Sequence, residues 1–431
     1  MSDDREKSFY AAFDPEVPSP AQLKDIYVNL DDARGGEITA SIARALLNAS
    51  PARPVCKLLS GHKGSGKTVE LMHLKQELEK DGKFTVIHWL ADETIDLMAV
   101  DFPDLLIGLV AKIAKDLQTR FSIKLKPGYF ATLPERLKVF LGSEVSITDA
   151  EFETGFARIT AALKQSPTVR AKVRAVLDPE SQTLLDAANE ILRQAKTELR
   201  AKGRSDNLVL LVDDLDKGGW ERHPTAGMTT GQFLFVNRYA QLSGLESHVI
   251  YTLPLELAYG SIAGTLQSRY GQIPVIPMVE VRKRPPDQSV HQLGVDRMRT
   301  VVQRRLATVG ILDPIEAFAD GTMDMLIHAS GGEPRQLMHL VSDALLHGSL
   351  PIQKAAAERA ITLATRTLRR TMTQEDWKIV RDVAKTGILP VDGATETRVR
   401  SLLFNRQVLQ YCNGDEWFAP SPLLGDPPAT A

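Results

Sequence analysis

The sequence predicts an α/β fold, a parallel sheet with helices on both faces. Three observations predict it. Residues 55–78 read as a short apolar strand, a glycine-rich turn and a helix with Leu71, Leu74 and Leu78 at helical spacing. Apolar runs recur at 84–90 (FTVIHWL), 207–212 (NLVLLV) and 248–253 (HVIYTL). Helix-patterned stretches separate these runs, and strands alternating with helices build a parallel sheet.

The elements follow in order. Residues 1–36 are acidic and punctuated by Pro15, Pro18 and Pro20, which suggests an arm wrapped over the core. Residues 37–50 carry Ile38, Ile42, Leu46 and Leu47 on one helical face. Residues 104–118 form an amphipathic helix. From about 119 to 200 strand signals are missing and Pro127, Pro134 and Pro167 interrupt helical patterns, so a helical insertion is expected between core strands. A last strand is expected at 273–281, ended by Pro285-Pro286, with helices filling 288–347. In the final module Thr373 is an N-cap with Asp376 three residues on, Gly387 ends that helix, and a second helix covers about 395–405. VLQYC-NGDE-WFAP then reads as a hairpin around an Asn-Gly turn. Helices followed by a hairpin suggest a winged helix. The expected organisation is an arm at 1–36, a core at 37–284, a helical lid at 285–350 and a winged-helix-like module at 351–431.

Composition narrows the class. The chain has 431 residues, 43% of them hydrophobic, and a net charge of −2, so the molecule as a whole is no polycation. Two cysteines, Cys56 and Cys412, make a disulfide framework improbable. The start MSDDREKSFY lacks the apolar stretch of a signal peptide, and no apolar run approaches the ~18–20 residues of a membrane span. A cytoplasmic protein with no membrane partner is expected.

Residues 61–68, GHKGSGKT, match G-x-x-x-x-G-K-[ST] in full. Gly61, Gly64 and Gly66 permit turns that a Cβ would obstruct, so the loop's N–H groups can surround a diphosphate. The expected nucleotide contacts are Gly61, His62, Lys63, Gly64, Ser65, Gly66, Lys67, Thr68 and Val69, with Lys67 at the β- and γ-phosphates and Thr68 on Mg²⁺. ATP and Mg²⁺ are the expected cofactors. Val209–Val212 run into Asp213-Asp214-Leu215-Asp216, a Walker B pattern on a strand expected beside the loop. Asp213 is assigned to Mg²⁺ and Asp214 to orienting or deprotonating the attacking water; Asp216 stands behind them for either role. Thr252, at the end of a neighbouring strand, is assigned as a sensor of the γ-phosphate. In SGGEPRQL, Gly331-Gly332 breaks one helix, Pro334 opens the next, and Arg335 emerges near its N-terminus, able to reach a phosphate.

Together GHKGSGKT, LLVDDLD, the strand ending YTLP and SGGEPR resemble a AAA+-type ATPase, in the branch of origin-recognition-like, archaeal, STAND-type and KAP-like ATPases. The resemblance spans roughly residues 20–350. It implies that GG-x-PR is the sensor 2 motif of a lid, with Arg335 contacting the γ-phosphate and contributing to catalysis with Lys67 and Asp214. It also implies a winged helix at the C-terminus, an adenine contact from the segment before the loop (Tyr27 and Arg34), and Arg269 as an arginine finger. Asp-Asp stands where typical AAA+ proteins have Asp-Glu, which bears on the rate of hydrolysis.

The expected function is an ATP-binding, ATP-hydrolysing switch whose conformational change or oligomerisation acts on a partner protein or on DNA, in a defence or mobile-element system. The alternatives are a DNA-binding loader or transposition-type regulatory ATPase, and a P-loop kinase. DNA contact would run through the basic stretch 281–305 (Arg282, Lys283, Arg284, Arg297, Arg299, Arg304, Arg305) or through the winged helix.

Overall fold

Five parallel strands organise the chain: β1 (Cys56–Gly61), β2 (Thr85–Leu90), β3 (Leu208–Asp213), β4 (His248–Leu253) and β5 (Val275–Ile276), in the order β2-β3-β4-β1-β5. This computed structural model describes residues 2–50, 53–141, 152–219, 221–223 and 226–426. Every residue of β3 and β4 is buried. Strands covered on both faces read as continuous apolar runs, which is the pattern at 207–212 and 248–253. β4 lies between β1 and β3, so the acidic strand is one place removed from the loop strand rather than beside it. Runs that are apolar on both faces fit any central position, and the order of strands therefore has no local signal.

Helices cover both faces. Ile42, Leu46, Leu71, Leu74 and Leu78, from helices Ile38–Leu47 and Lys67–Lys80, close one face. On the other face helix Phe102–Phe121 joins the insertion, which consists of helices Leu133–Leu141, Phe152–Gln165, Pro167–Leu177 and Ser181–Ala201. The insertion buries Phe130, Phe156, Val173 and Leu192 in the same core as the sheet. Its residues 142–151 fall outside the described residues.

The expected strand 273–281 is a strand for two residues only. Beyond Ile276 the backbone leaves the sheet and its amides find three other partners. Met278 N–H donates to Gln410 O (3.0 Å), Val279 N–H to Gly332 O (3.1 Å) and Glu280 N–H to Ala33 O (3.1 Å). One extended segment thus ties the hairpin, the turn before Pro334 and the N-terminal arm together.

A second core joins helices Gln292–Thr308, Thr322–Ser330, Pro334–Leu346 and Lys354–Arg369. Phe9 and Phe13 of the arm are buried in it. Helix Gln374–Thr386 starts with the Thr373–Asp376 capping box. With helix Glu396–Phe404 and the antiparallel hairpin β6 (Val408–Asn413) and β7 (Asp415–Pro420) it forms a third core around Trp377, Val383, Leu402 and Phe418.

Candidate functional site

The glycine loop joins β1 to the helix Lys67–Lys80 at the carboxyl end of the sheet, where parallel sheets bind ligands. Gly64 has φ +87°, and a Cβ there would stand 2.2 Å from Glu333 Oε1. Only glycine lets the loop and the turn of the second core approach so closely. Lys67 Nζ, 5% exposed, donates to Gly61 O (2.8 Å) and His62 O (2.7 Å) and pairs with Asp216 Oδ2 at 2.9 Å. Asp216 is therefore the counter-charge of the loop lysine, a role its place in the sequence does not reveal. From below, Arg34 donates to Ser65 O (2.5 Å) and Glu70 Oε1 (3.2 Å).

At the end of β3, Asp213 Oδ2 lies 3.2 Å from His88 Nε2 and the Asp213 carboxylate accepts from the Thr68 hydroxyl. Burial alone would raise this carboxyl; the hydrogen bonds from His88, the Asp214 amide and Thr68 outweigh it and hold it below the ordinary range. Asp214 takes a left-handed backbone (φ +70°) and pairs with Lys217 at 2.8 Å. Lys217 also pairs with Asp92 at 2.6 Å, beyond the end of β2. Burial, the Asp213 charge and a hydrogen bond with Asp92 push the Asp214 carboxyl up to about 8, against the pull of Lys217.

Arg335 reaches the same place from the second core. It follows Pro334 at the start of helix Pro334–Leu346, and its amide donates to Gly64 O (3.4 Å). The resulting cleft lies between the sheet's phosphate loop and the second core. Lys63, Gly64, Lys67, Thr68, Asp214 and Arg335 line it. Val17, Val69, Val301 and Met338 line it as well, with Pro15 and Pro18 of the arm and the charged Glu16 and Arg305. A lining that mixes cations and loop glycines with apolar side chains fits a nucleoside triphosphate. The buried, hydrogen-bonded Asp213 carboxylate beside the Thr68 hydroxyl fits the oxygen donors that Mg²⁺ takes.

Other expected residues lie elsewhere. Thr252 is fully buried in β4, level with Leu59 of β1, its Oγ1 has no hydrogen-bond partner among the described residues, and it does not line this cleft. Arg269 donates to Val236 O and covers the Tyr239 ring, away from the cleft. Tyr27 donates to Glu70 and stacks on His73, and neither it nor Arg34 lines the cleft; the part of the arm that does is Pro15–Pro18. The arm folds back over the second core through Phe9 and Phe13, and that long-range packing carries Pro15–Pro18 to the cleft.

The outer side of the loop touches the C-terminal module. Gln410 N–H of β6 donates to His62 Nε2 at 2.9 Å. Burial, then the charges of Lys67 and Arg406, push the His62 imidazole down to about 3, so the ring is neutral and its Nε2 accepts. Lys63 Nζ sits 3.5 Å above the Phe404 ring and donates to Lys217 O (3.1 Å). Glu333, buried beneath Gly64, pairs with Arg406 at 2.6 Å. Sequence reasoning did not single out Glu333, Gln410, His88, Asp92 or Lys217, and it placed Arg406 beside the hairpin as a candidate DNA contact and not as the partner of Glu333.

Loop, sheet order and acidic strand end together define a P-loop NTPase fold. Residues 36–222 match the family model described as the KAP family P-loop domain, a span that holds the loop and β3 and stops before β4. Among solved structures, a Walker-type ATPase of Pyrococcus abyssi is similar over 90% of this chain and 93% of its own, at 16% identity and a TM-score of 0.46. The crystal structure of Cdc6p from Pyrobaculum aerophilum is similar over 96% of this chain and 94% of its own, at 14% identity and a TM-score of 0.36. No curated protein matches the chain.

Proposed function

We propose that the chain is an ATP-driven switch in which ATP and Mg²⁺ draw the core and the helical lid together. The observation that carries this reading is the convergence of Lys67, Thr68 and Asp214 from the core with Arg335 from the second core on one cleft. Lys67 would exchange its Asp216 partner for the β- and γ-phosphates, a stronger multiply charged acceptor. Val69, Val301 and Met338 would cover the base. Thr68 and Asp213 would hold Mg²⁺, which supplies neutralisation of the β/γ oxygens. Asp214, fixed by Lys217, would orient the water for γ-phosphoryl transfer, and Arg335 would report the γ-phosphate to the lid.

The output is a partner protein or a second copy rather than DNA. Within 281–305, Arg297 pairs with Asp32, Arg299 with Asp296 and Asp324, Lys283 with Asp287 and Arg284 with Asp415, while Arg305 donates to Ala12 O. A phosphate-tracking surface needs cations directed outward; these five have acceptors within the chain, while Arg282 and Arg304 are exposed. The test is phosphate release from ATP with and without duplex DNA, together with the mass of the particle in a non-hydrolysable analogue. Assembly with the analogue and DNA-independent turnover are expected; turnover stimulated by DNA would favour the loader reading instead. Asp214→Asn should keep Mg·ATP bound and slow phosphate release by about 10²-fold or more; turnover at the wild-type rate removes Asp214 from the water-orienting role.

A further inference from the structure

Five contacts join the C-terminal module to the phosphate loop, to the turn that carries Arg335 and to the segment after β5. Gln410 N–H holds the His62 ring at 2.9 Å, and the Phe404 ring lies 3.5 Å under the Lys63 ammonium. Arg406 pairs with Glu333, whose carboxylate fills the space next to Gly64. Tyr411 donates its hydroxyl to Gly331 O at 2.7 Å, and Gln410 O accepts from Met278 N–H at 3.0 Å. His62, Glu333, Gln410 and Tyr411 are all buried, at 4% exposure or less. Arg406 itself is held at φ +59°, a left-handed backbone that a non-glycine residue adopts only where surrounding contacts enforce it.

Among the described residues none that lines the cleft comes from beyond Met338, although Lys63, which Phe404 touches, does line it, so the C-terminal module grips the loop without itself covering the cleft. It is a brace and not a plug.

We propose that the turn and hairpin at residues 404–413 position the phosphate loop and the Arg335 turn for nucleotide, so that nucleotide binding and hairpin docking stabilise each other. The glycine loop loses much backbone freedom when its amides converge on an anion. Contacts that hold its outer side already meet part of that entropic cost, which leaves more of the interaction energy for binding. Linkage then requires the converse: bound nucleotide favours the docked hairpin by the same factor. Arg406, Phe404 and Tyr411 are thus positioning residues, acting through Glu333, Lys63 and Gly331. The inference rests on the ATP reading of the cleft.

Hydrogen–deuterium exchange of the full chain, with and without Mg²⁺ and a non-hydrolysable ATP analogue, tests it. Amides of Val408–Asn413 should exchange more slowly with the analogue bound. In titrations, Arg406→Ala should weaken analogue binding about fivefold or more, the low end of coupling between sites, and lose the nucleotide-dependent protection. Arg406→Lys should restore part of both. Tyr411→Phe removes one hydroxyl without leaving a buried charge, and should weaken the protection in a chain that melts close to wild type. Hairpin exchange that is unchanged or faster with the analogue overturns the inference, as does equal affinity in wild type and Arg406→Ala. In either case ATP still binds and the reading of the cleft survives. A wild-type chain that fails to bind the analogue defeats that reading itself, and the brace with it.

Discussion

Lys67 is a buried cation with three protein acceptors, two loop carbonyls and Asp216. Its replacement by Ala removes the ammonium proposed to reach the β- and γ-phosphates. ATP affinity should fall about tenfold or more, since a hydrogen bond to a charged group is worth ~1.5–3 kcal/mol. Calorimetry that finds unchanged affinity would remove the loop from the binding site. His62 carries a separate expectation. Its imidazole is shifted from 6.5 down to about 3 by burial first and then by Lys67 and Arg406. A folded state that binds fewer protons than the unfolded one keeps its full stability above the unfolded value and loses it as pH falls toward the folded value. The His62 contribution is thus complete above pH 6.5 and drains away between 6.5 and about 3. Between pH 7.5 and 5.5 the wild type should lose about 1.4 kcal/mol more than His62→Gln, whose amide does not titrate. Denaturant unfolding of both proteins at the two pH values measures this difference, and parallel losses would contradict the buried neutral ring.

Among the elements, the segment after β5 shows how a β-rich pattern ends up outside a sheet. Val275 to Val281 are apolar enough for a strand, yet only Val275 and Ile276 pair with β1. Val279 N–H meets Gly332 O instead, and Gly332 sits so close that a Cβ there would stand 1.8 Å from Val279 O. Gly332 also has φ +74°. Gly332→Ala should therefore destabilise the chain by about 2 kcal/mol or more, from left-handed strain and displacement of the 279 backbone. Differential scanning calorimetry that shows an unshifted transition would mean the contact relaxes freely. Helix starts behaved differently: the Thr373–Asp376 box and the Pro334 start are set by residues within one turn, and both stand where local chemistry places them. The chain beyond Ile276 has one local determinant, Pro277, whose nitrogen cannot donate to a ladder, while its hydrogen-bond partners at positions 33, 332 and 410 are set by distant packing.

At the scale of the whole molecule, the contact between the core and the proposed lid is the part of the proposed switch most open to test. Arg335 lines the cleft from the second core, and its amide touches the loop at Gly64. Arg335→Ala should bind ATP only modestly more weakly, because Lys67 and the loop amides remain. It should lose the protection from proteolysis that a non-hydrolysable analogue confers on residues 285–350 of the wild type. Equal protection in both would reduce GGEPR to a corner between helices.

The chemistry of the phosphate end was legible from residue types at fixed spacing. GHKGSGKT and VDDLD are short segments whose function needs residues adjacent in sequence, because a loop between strand and helix and the end of a strand are local structures. The parallel sheet was legible for a similar reason: burial on both faces demands continuous apolar runs. The contact of β4 with β1 was not, and neither were the prolines that the arm brings to the cleft, the Lys67–Asp216 pair or the Glu333–Arg406 pair under Gly64. Each of these joins residues dozens to hundreds of positions apart, and the sequence holds no local record of which distant partner a charge or a glycine will meet. Packing alone decides that, since only the folded chain brings the arm, the turn at 331–335 and the hairpin around one loop.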